Sequence, residues 1–256
     1  FLDWPRTAIR KNDEGDYEIL ECNGTVATSF NELCWLQITS CESLTCLPAE
    51  LFNFKFLRRL SLSGCSKLEV LPEFKETMEN LKVLILDKTA IKELPSFLHH
   101  LVGLEKLSLK GCTKLKTIPS SIGNFSKLLK LDLTYCESLE TFPSSIFKLK
   151  LTELDFEGCS MLRTFPEILE PAESFTYINL TETAIKELPS SLHHLVGLEK
   201  LRLERCTKLK TIPSSIGNLS KLLKLELTYC ESLQTFPSSI FKLKLTKLDF
   251  VGCSML

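Results

Sequence analysis

From Leu104 to Phe125 the chain reads LEKLSLKGCTKLKTIPSSIGNF, and the spacing inside this stretch decides the fold. Leu104, Leu107, Leu109 and Cys112 fall as LxxLxLxxC, followed by Leu115, the pair Ile118-Pro119, and the apolar Ile122 and Phe125. The alternation around Leu107 and Leu109 puts leucines on one face of a short strand and the intervening residues on the other. One such strand cannot bury its leucines alone. Copies stacked side by side share a continuous core.

Outward from this stretch the skeleton recurs every 23 or 24 residues. LCWLQITSC ends at Cys41, LRRLSLSGC at Cys65, LKVLILDKT at Thr89, LLKLDLTYC at Cys136 and LTELDFEGC at Cys159. FTYINLTET ends at Thr183, LEKLRLERC at Cys206, LLKLELTYC at Cys230 and LTKLDFVGC at Cys253. With the copy at Cys112 this makes ten repeats over residues 33–256, the last cut short at Leu256. Residues 1–32 do not fit the skeleton: YEILEC alternates like a strand and CNGT after it reads as a turn, so this segment is a degenerate first repeat or an N-terminal flank that covers the edge of the array.

Each repeat then has a strand, a sharp turn at the Cys or Thr slot, and a return segment. A small side chain fits the turn, and its thiol or hydroxyl helps to meet turn backbone groups. Pro48, Pro72, Pro95, Pro119, Pro143, Pro166, Pro189, Pro213 and Pro237 share one slot, and sequences such as PSSIGN and PSSIFK start a helical turn well. With so few residues left per repeat, that segment is expected to be a short α- or 3-10 helix. The expected fold class is α/β: a curved solenoid with a parallel β-sheet on one face and short helical segments and loops on the other.

The totals narrow the function. Thirty-one basic residues against 32 acidic ones leave a formal net charge of −1, which provides no global attraction to nucleic acid or anionic membrane. No apolar run is long enough to span a bilayer. FLDWPRTAIRKNDEGDYE lacks the apolar segment of a signal peptide, and a start at Phe1 rather than Met fits a piece of a longer chain. Eight of the 11 cysteines, at positions 41, 65, 112, 136, 159, 206, 230 and 253, occupy one slot of the repeat. Such regular spacing marks a packing element, expected as buried free thiols in a reducing compartment; Cys22, Cys34 and Cys46 carry no pattern.

The skeleton resembles the leucine-rich repeat. Within that family, LSLSGCSKLEVLPE, LDKTAIKELPSFL and LKTIPSSIGN resemble the repeat region of plant intracellular immune receptors of the TIR–nucleotide-binding–leucine-rich-repeat type, the TAIKELP variant at Thr89 and Thr183 most of all. The resemblance covers residues 33–256 and implies a horseshoe with its sheet on the concave face. It also implies a cytoplasmic or nucleo-cytoplasmic module that senses a pathogen effector or guarded host protein and restrains the receptor's signalling domains. No Gly-rich phosphate loop ending in Gly-Lys-Ser/Thr is present, so nucleotide exchange and NAD cleavage are not assigned to this chain. The competing expectations are a stand-alone scaffold of the Ras-binding leucine-rich-repeat type and an extracellular receptor ectodomain.

A second period lies above the first. Residues 88–162 align without gaps to residues 182–256, and 65 of the 75 positions are identical. The differences are Lys88/Glu182, Phe97/Ser191, Ser108/Arg202, Lys110/Glu204, Gly111/Arg205, Phe125/Leu219, Asp132/Glu226, Glu140/Gln234, Glu153/Lys247 and Glu157/Val251. Seven of these ten fall on outward strand positions, which make up only 13 of the 75, while return-segment residues such as Ser120, Ser121, Asn124 and Ser145 are unchanged. A surface selected to change what it binds varies in this way.

The expected partner-binding residues are therefore the outward strand positions and their edge. They are Trp35 on the first strand and Lys88 at the third turn, followed by Lys106, Ser108, Lys110 and Gly111. Lys130, Asp132 and Tyr135 come next, followed by Glu153, Asp155 and Glu157, and by Tyr177 with Glu182. The last three repeats contribute Lys200, Arg202, Glu204 and Arg205; Lys224, Glu226 and Tyr229; and Lys247, Asp249 and Val251. A partner is expected to meet an acidic patch at Glu153, Asp155 and Glu157 and a mostly basic one at Arg202 and Arg205, an alternation that sets orientation more than affinity.

The other constellations point away from chemistry. His99-His100 and His193-His194 are the only histidines, and two adjacent histidines on a return segment make no chelate and no catalytic base for a strand residue. No cofactor, metal or enzymatic activity is expected. The sequons at Asn23, Asn124, Asn179 and Asn218 read as chance occurrences. The repeat that stops at Leu256 leaves Leu248, Phe250 and Leu256 without a following coil, so this end is expected to fray or self-associate.

Overall fold

A computed structural model describes residues 7–11, 17–22, 33–47, 51, 54–73 and 77–256, the first two stretches as backbone. The CNGT turn and Pro48 lie outside the described residues. One sheet of 12 strands runs in chain order. It begins with β1 (Thr7–Lys11) and β2 (Tyr17–Cys22), continues through β3 (Trp35–Ile38), β4 (Arg59–Ser61), β5 (Val83–Ile85), β6 (Lys106–Ser108) and β7 (Lys130–Asp132), and ends with β8 (Glu153–Asp155), β9 (Tyr177–Asn179), β10 (Lys200–Arg202), β11 (Lys224–Glu226) and β12 (Lys247–Asp249). The strands β3 to β12 are the ten expected repeats, all parallel and in matching register, so that Lys106 lies beside Lys130 and Leu107 beside Leu131. Beyond β3, β2 continues the parallel array and β1 pairs with β2 antiparallel, a strand that the sequence pattern did not announce.

Each repeat strand is only three or four residues long because the skeleton presents just one or two leucines before it turns. Parallel sheets usually hide both faces. Here one face carries the core and the other is lined by charge. Leu107, Leu109, Cys112 and Leu115 are fully buried, and their counterparts in the neighbouring repeats extend one continuous cluster from Leu33 to Ile240. Burial at roughly 1.5–3 kcal/mol per leucine holds the coils together; truncation to Ala would also leave a cavity, for a total of about 2–5 kcal/mol.

Six return segments form five-residue 3-10 helices, Ser96–His100, Ser120–Asn124, Ser144–Lys148, Ser190–His194, Ser214–Asn218 and Ser238–Lys242, whereas the segment after Pro166 carries no helix, a departure from the expected helical turn in each repeat. Proline stands one residue earlier than the first helical position: Pro119 is extended, with φ −70 and ψ 151, and its carbonyl accepts the Ile122 amide at 3.0 Å. A third hydrogen-bonded row, Glu93, Thr117 and Thr141, with its copy Glu187, Thr211 and Thr235, ties successive coils together before each proline.

The Cys slot has a specific partner. Cys112 Sγ donates to the Leu86 carbonyl of the preceding coil at 3.0 Å, Cys136 to Leu109 at 3.2 Å, Cys159 to Leu133 at 3.2 Å and Cys230 to Leu203 at 3.0 Å. Threonine serves the same slot from its own coil, Thr89 Oγ1 donating to the Leu86 carbonyl at 2.7 Å. Burial pushes the thiols up, Cys159 to about 12 and Cys206 to about 11. The expectation of free thiols needs one correction: Cys41 is disulfide-bonded, to a residue outside the described side chains. In the first repeat the slot therefore serves a cross-link as well as packing.

Candidate functional site: the concave face

Every repeat presents four outward positions. Three alternate along the strand and just beyond it, and the fourth immediately precedes the Cys or Thr slot. In all ten repeats that fourth residue is left-handed: Ser40, Lys88, Tyr135, Glu182, Arg205 and Tyr229 have φ between 53 and 61, and Gly64, Gly111, Gly158 and Gly252 between 69 and 78. The turn demands this conformation, which costs a residue with a β-carbon about 1–2 kcal/mol. Glycine is the low-strain choice, and six repeats do without it. The side chains carried there stand in one row along the sheet edge.

At four repeats the second strand position holds an Asp or Asn that caps the strand end. Asp132 Oδ1 accepts the Thr134 amide at 3.1 Å, Asp155 the Glu157 amide at 2.9 Å, Asn179 the Thr181 amide at 3.1 Å and Asp249 the Val251 amide at 3.1 Å. These side chains serve the backbone first. Asp132 and Asp155 lie beside each other on β7 and β8. Burial above all, with the charges of Glu157 and Asp132 adding to it, pushes the Asp155 carboxyl up.

Two expected contact residues face the concavity yet are hidden. Ser108 is 4% exposed, its hydroxyl donating to Asp87 Oδ1 at 2.6 Å, and the same oxygen takes the Lys110 amide at 3.1 Å. Glu226 is 5% exposed. Lys247 donates to it at 2.7 Å, Arg202 Nε lies 3.0 Å away without a well-aimed N–H, and Lys200 lies 3.5 Å away. Burial pushes the Glu226 carboxyl up, but the Lys247 hydrogen bond and the charges of Lys200, Lys247 and Arg202 together hold it below the usual range. Neighbouring strands thus cover both residues, and they act by fixing the side chains around them.

The expected basic patch at Arg202 and Arg205 is also corrected. Arg202 pairs with Glu204 at 3.1 Å as well as with Glu226, and Arg205 pairs with Glu182 at 2.8 Å. Glu182, Arg202, Glu204, Arg205, Glu226 and Lys247 are six of the seven strand-face replacements of the second copy, and they satisfy one another. The replacements form a set. In the first copy the equivalent places hold Lys88, Ser108, Lys110, Gly111, Asp132 and Glu153, none of which form ion pairs with one another among the described residues. Glu157, the seventh, accepts the Tyr135 hydroxyl at 2.9 Å and the Asn179 side-chain amide at 3.0 Å, and Glu153, Asp155 and Glu157 make no ion pair among the described residues. Hydrogen bonding to Glu157, more than any other cause, pushes the Tyr135 phenol up.

Other expected residues stand apart. Lys106, Lys130 and Lys224 line the first strand position with no ion pair among the described residues, and Tyr229 and Val251 are exposed near the far end. Tyr177 lies under the Lys200 ammonium, 5.3 Å from ring centre to nitrogen. Asn179, fully buried and committed to Glu157 and Thr181, is closed to glycosylation in the folded chain. The constancy of some return-segment residues has a local cause: Ser145 Oγ donates to the Ser120 carbonyl at 2.7 Å and its β-carbon sits against Gly123. The paired histidines cap carbonyls, His193 at Ser190 and His194 at Ile168, and among the described residues no His, Cys, Asp or Glu group is arranged to hold a metal ion.

Asp87, the β4 residues Arg59 and Ser61 and the β5 residues Val83 and Ile85 were not singled out by sequence. Asp87 lies one residue before the duplicated block, and the other four lie further upstream, so a comparison of the two copies cannot reach them. Their register in the skeleton was the available signal.

A family model described as plant disease resistance protein RPS2-like, leucine-rich repeats, matches residues 9–160, more than half of the chain. The chain belongs to the leucine-rich repeats of plant disease resistance proteins. A second model of this family, disease resistance protein RPS4B-like, leucine-rich repeats, matches residues 147–233. Among curated relatives, disease resistance-like protein DSC1 of Arabidopsis thaliana is 43% identical over 89 residues, 32% of this chain and 7% of that protein. The Arabidopsis thaliana protein SUPPRESSOR OF npr1-1, CONSTITUTIVE 1 is 39% identical over 181 residues, 71% of this chain and 12% of that protein. The repeats therefore span a small fraction of the relatives' length. The crystal structure of a TDR receptor aligns with a TM-score of 0.62 at 22% identity, covering 88% of this chain and 40% of that one, and shares the fold. No helix among the described residues is long and apolar enough to cross a membrane.

Proposed function

We propose that this disease-resistance repeat region is a non-enzymatic protein-recognition module of an intracellular, cytoplasmic or nucleo-cytoplasmic plant immune receptor. It binds a pathogen effector or guarded host protein across the concave face and restrains the receptor's signalling domains, which by resemblance are of the TIR and nucleotide-binding kind. One observation carries this reading. Between the two copies of the duplication the strand leucines are unchanged and the buried core changes only at Phe125/Leu219, while six of seven strand-face replacements interlock as ion pairs. A face rebuilt as a set on an unchanged scaffold fits altered recognition better than independent drift.

The test is an exchange within the receptor that carries these repeats. All seven face residues of the second copy are replaced by their first-copy counterparts, and the receptor is expressed transiently in leaf tissue. The expected result is an altered set of pathogen effectors that trigger cell death, at unchanged protein abundance. An identical response set would overturn the reading.

A further inference from the structure

Across β6 to β12 the first two outward strand positions carry charged or polar side chains almost throughout. Across β3 to β5 only three of the six do, Gln37, Arg59 and Ser61. Val83 and Ile85 are the two aliphatic residues in these rows over all ten repeats, and Trp35 stands two strands away from them. Between these walls β4 contributes Ser61, whose short side chain leaves the floor low. The large–small–large profile encloses a trough of about 300 Å³ lined by Trp35, Arg59, Ser61, Val83, Ile85 and Asp87, among others.

The trough has a polarity. Asp87 closes one side, but its Oδ1 is committed to Ser108 and Lys110. Arg59 stands at the other side with its guanidinium over the Trp35 ring, 4.6 Å from the centroid. The other arginines of this face past β9, Arg202 and Arg205, are ion-paired, whereas Arg59 has no ion pair among the described residues. The indole face holds the guanidinium by a cation–π contact, which leaves its N–H groups for an acceptor. Trp and Arg are also the residue types that dominate protein interfaces, and here Trp35 is half-buried with the exposed Arg59 laid over it.

We propose that this trough is the anchor pocket of the recognition face. It takes one bulky apolar side chain, aromatic or leucine, from a partner polypeptide that carries a carboxylate a few residues away for Arg59. The volume stands at the lower end for ligand pockets, sized for a side chain rather than a large cofactor. On the Arg59 side charge complementarity selects the acidic flank, since an arginine without an ion pair among the described residues favours Asp or Glu and rejects Lys or Arg, while Asp87 turns acidic groups away from the opposite side. This assignment rests on the recognition function proposed above and names the chemistry of the partner.

The probe is a displayed library of random 12-residue peptides, selected on the immobilised 256-residue chain. Enriched peptides should pair an aromatic residue or leucine with Asp or Glu within about three positions, and adding one to the Trp4→Phe chain, whose one tryptophan is Trp35, should change its fluorescence. Ser61→Phe, which fills the trough, should weaken their binding by roughly tenfold or more. Arg59→Glu, at an exposed position that leaves folding intact, should switch the enriched flank from acidic to basic. Exchanging Arg202, Glu204 and Arg205 for Ser, Lys and Gly should leave these peptides bound. No enrichment, or an unchanged flank in Arg59→Glu, overturns the proposal. Peptides lost on the β10 exchange but kept by both trough variants overturn the trough while leaving the recognition function standing.

Discussion

The ring of Tyr135 lies in the space that a side chain on Gly158 would need: Tyr135 Cδ1 is 2.4 Å from the position of a β-carbon there, and Tyr229 stands in the same relation to Gly252. Both residues of each pair are in left-handed turns of successive coils, so the tyrosine spreads flat across the next turn only because that turn is glycine. Gly158→Ala should therefore destabilise the chain through two separable effects, the φ of +74 at about 1–2 kcal/mol and the clash with the ring. A double-mutant cycle with Tyr135→Ala, read by chemical denaturation, separates them. The expected coupling is about 1 kcal/mol, leaving the backbone effect alone in the Tyr135→Ala background. Additive costs would show that the ring swings away freely.

Arg205 occupies the same turn position as Gly111 in the first copy, at φ 56, and its one ion pair, to Glu182, is solvent-exposed. An exposed pair contributes at most about 1 kcal/mol, and the left-handed backbone costs Arg about 1–2. Arg205→Gly is thus expected to raise stability slightly, by roughly 0.5–1 kcal/mol, with a small rise in thermal midpoint. The same variant should lose partner recognition if the edge row is a contact surface. Strain held at that position is then the cost of function rather than of folding.

Asp155 and Asn179 cap their strands in the same way, each accepting the amide two residues on, but only Asp155 brings a charge into a half-buried place beside Asp132. Its folded pKa is raised, so ionisation works against the fold above that value. Asp155→Asn keeps the amide bond and should increase stability at pH 7, because it removes the charge that burial disfavours. The advantage should shrink as pH falls through the raised folded pKa and vanish below the ordinary carboxylate range, where the native residue is neutral in both states. Denaturation midpoints at pH 7 and pH 3.5 check the sign.

The scaffold was legible because it is written ten times. Leu107, Cys112 and Pro119 say little singly, and their recurrence at one spacing leaves one way to bury the leucines. The outward face was legible only by position. That Ser108 and Glu226 point into the concavity follows from strand alternation; that they are covered depends on Asp87, Lys200 and Lys247 reaching across from other strands, about 20 residues away. The ion pairs of Arg202 and Arg205 were hidden for the same reason: in a parallel sheet, lateral neighbours are a full repeat apart in sequence. β1 was missed because an antiparallel strand at the edge of the array shares none of the repeat pattern.

The slot thiols should make the fold sensitive to alkali. Burial raises Cys159 to about 12 and Cys206 to about 11 from an ordinary value of 9.0, so the folded chain keeps protons that the unfolded chain releases. Stability from this source is complete below pH 9 and falls as pH rises from there toward the folded values. Threonine already fills the slot at Thr89 and Thr183, so Cys159→Thr and Cys206→Thr are conservative probes. Each replacement should remove roughly 1 kcal/mol of the stability loss between pH 9 and 10. Equal alkaline slopes in wild type and variant would show that the thiols do not titrate on unfolding. Maleimide labelling at pH 8 gives a second check: Cys46 is exposed and should react, while Cys159 should wait for unfolding.

Strands β8 and β12 are copies of one another that differ within the strand only at Glu153 and Lys247. Their surroundings differ far more. Phe147 is 8% exposed and its copy Phe241 is 71%, and Leu154 and Leu162 are fully buried while Leu248 and Leu256 are 36% and 45% exposed. β8 is hydrogen-bonded on both sides and β12 only to β11. Local sequence preference is therefore nearly constant, and any difference in opening comes from the missing neighbour. Amide hydrogen exchange of the 256-residue chain should be at least about 100-fold faster in residues 247–249 than in 153–155, corresponding to roughly 3 kcal/mol of apolar burial absent from the last coil. Equal protection in a monomer would contradict this. Equal protection that appears only at high protein concentration would instead show that the exposed coil is covered by self-association.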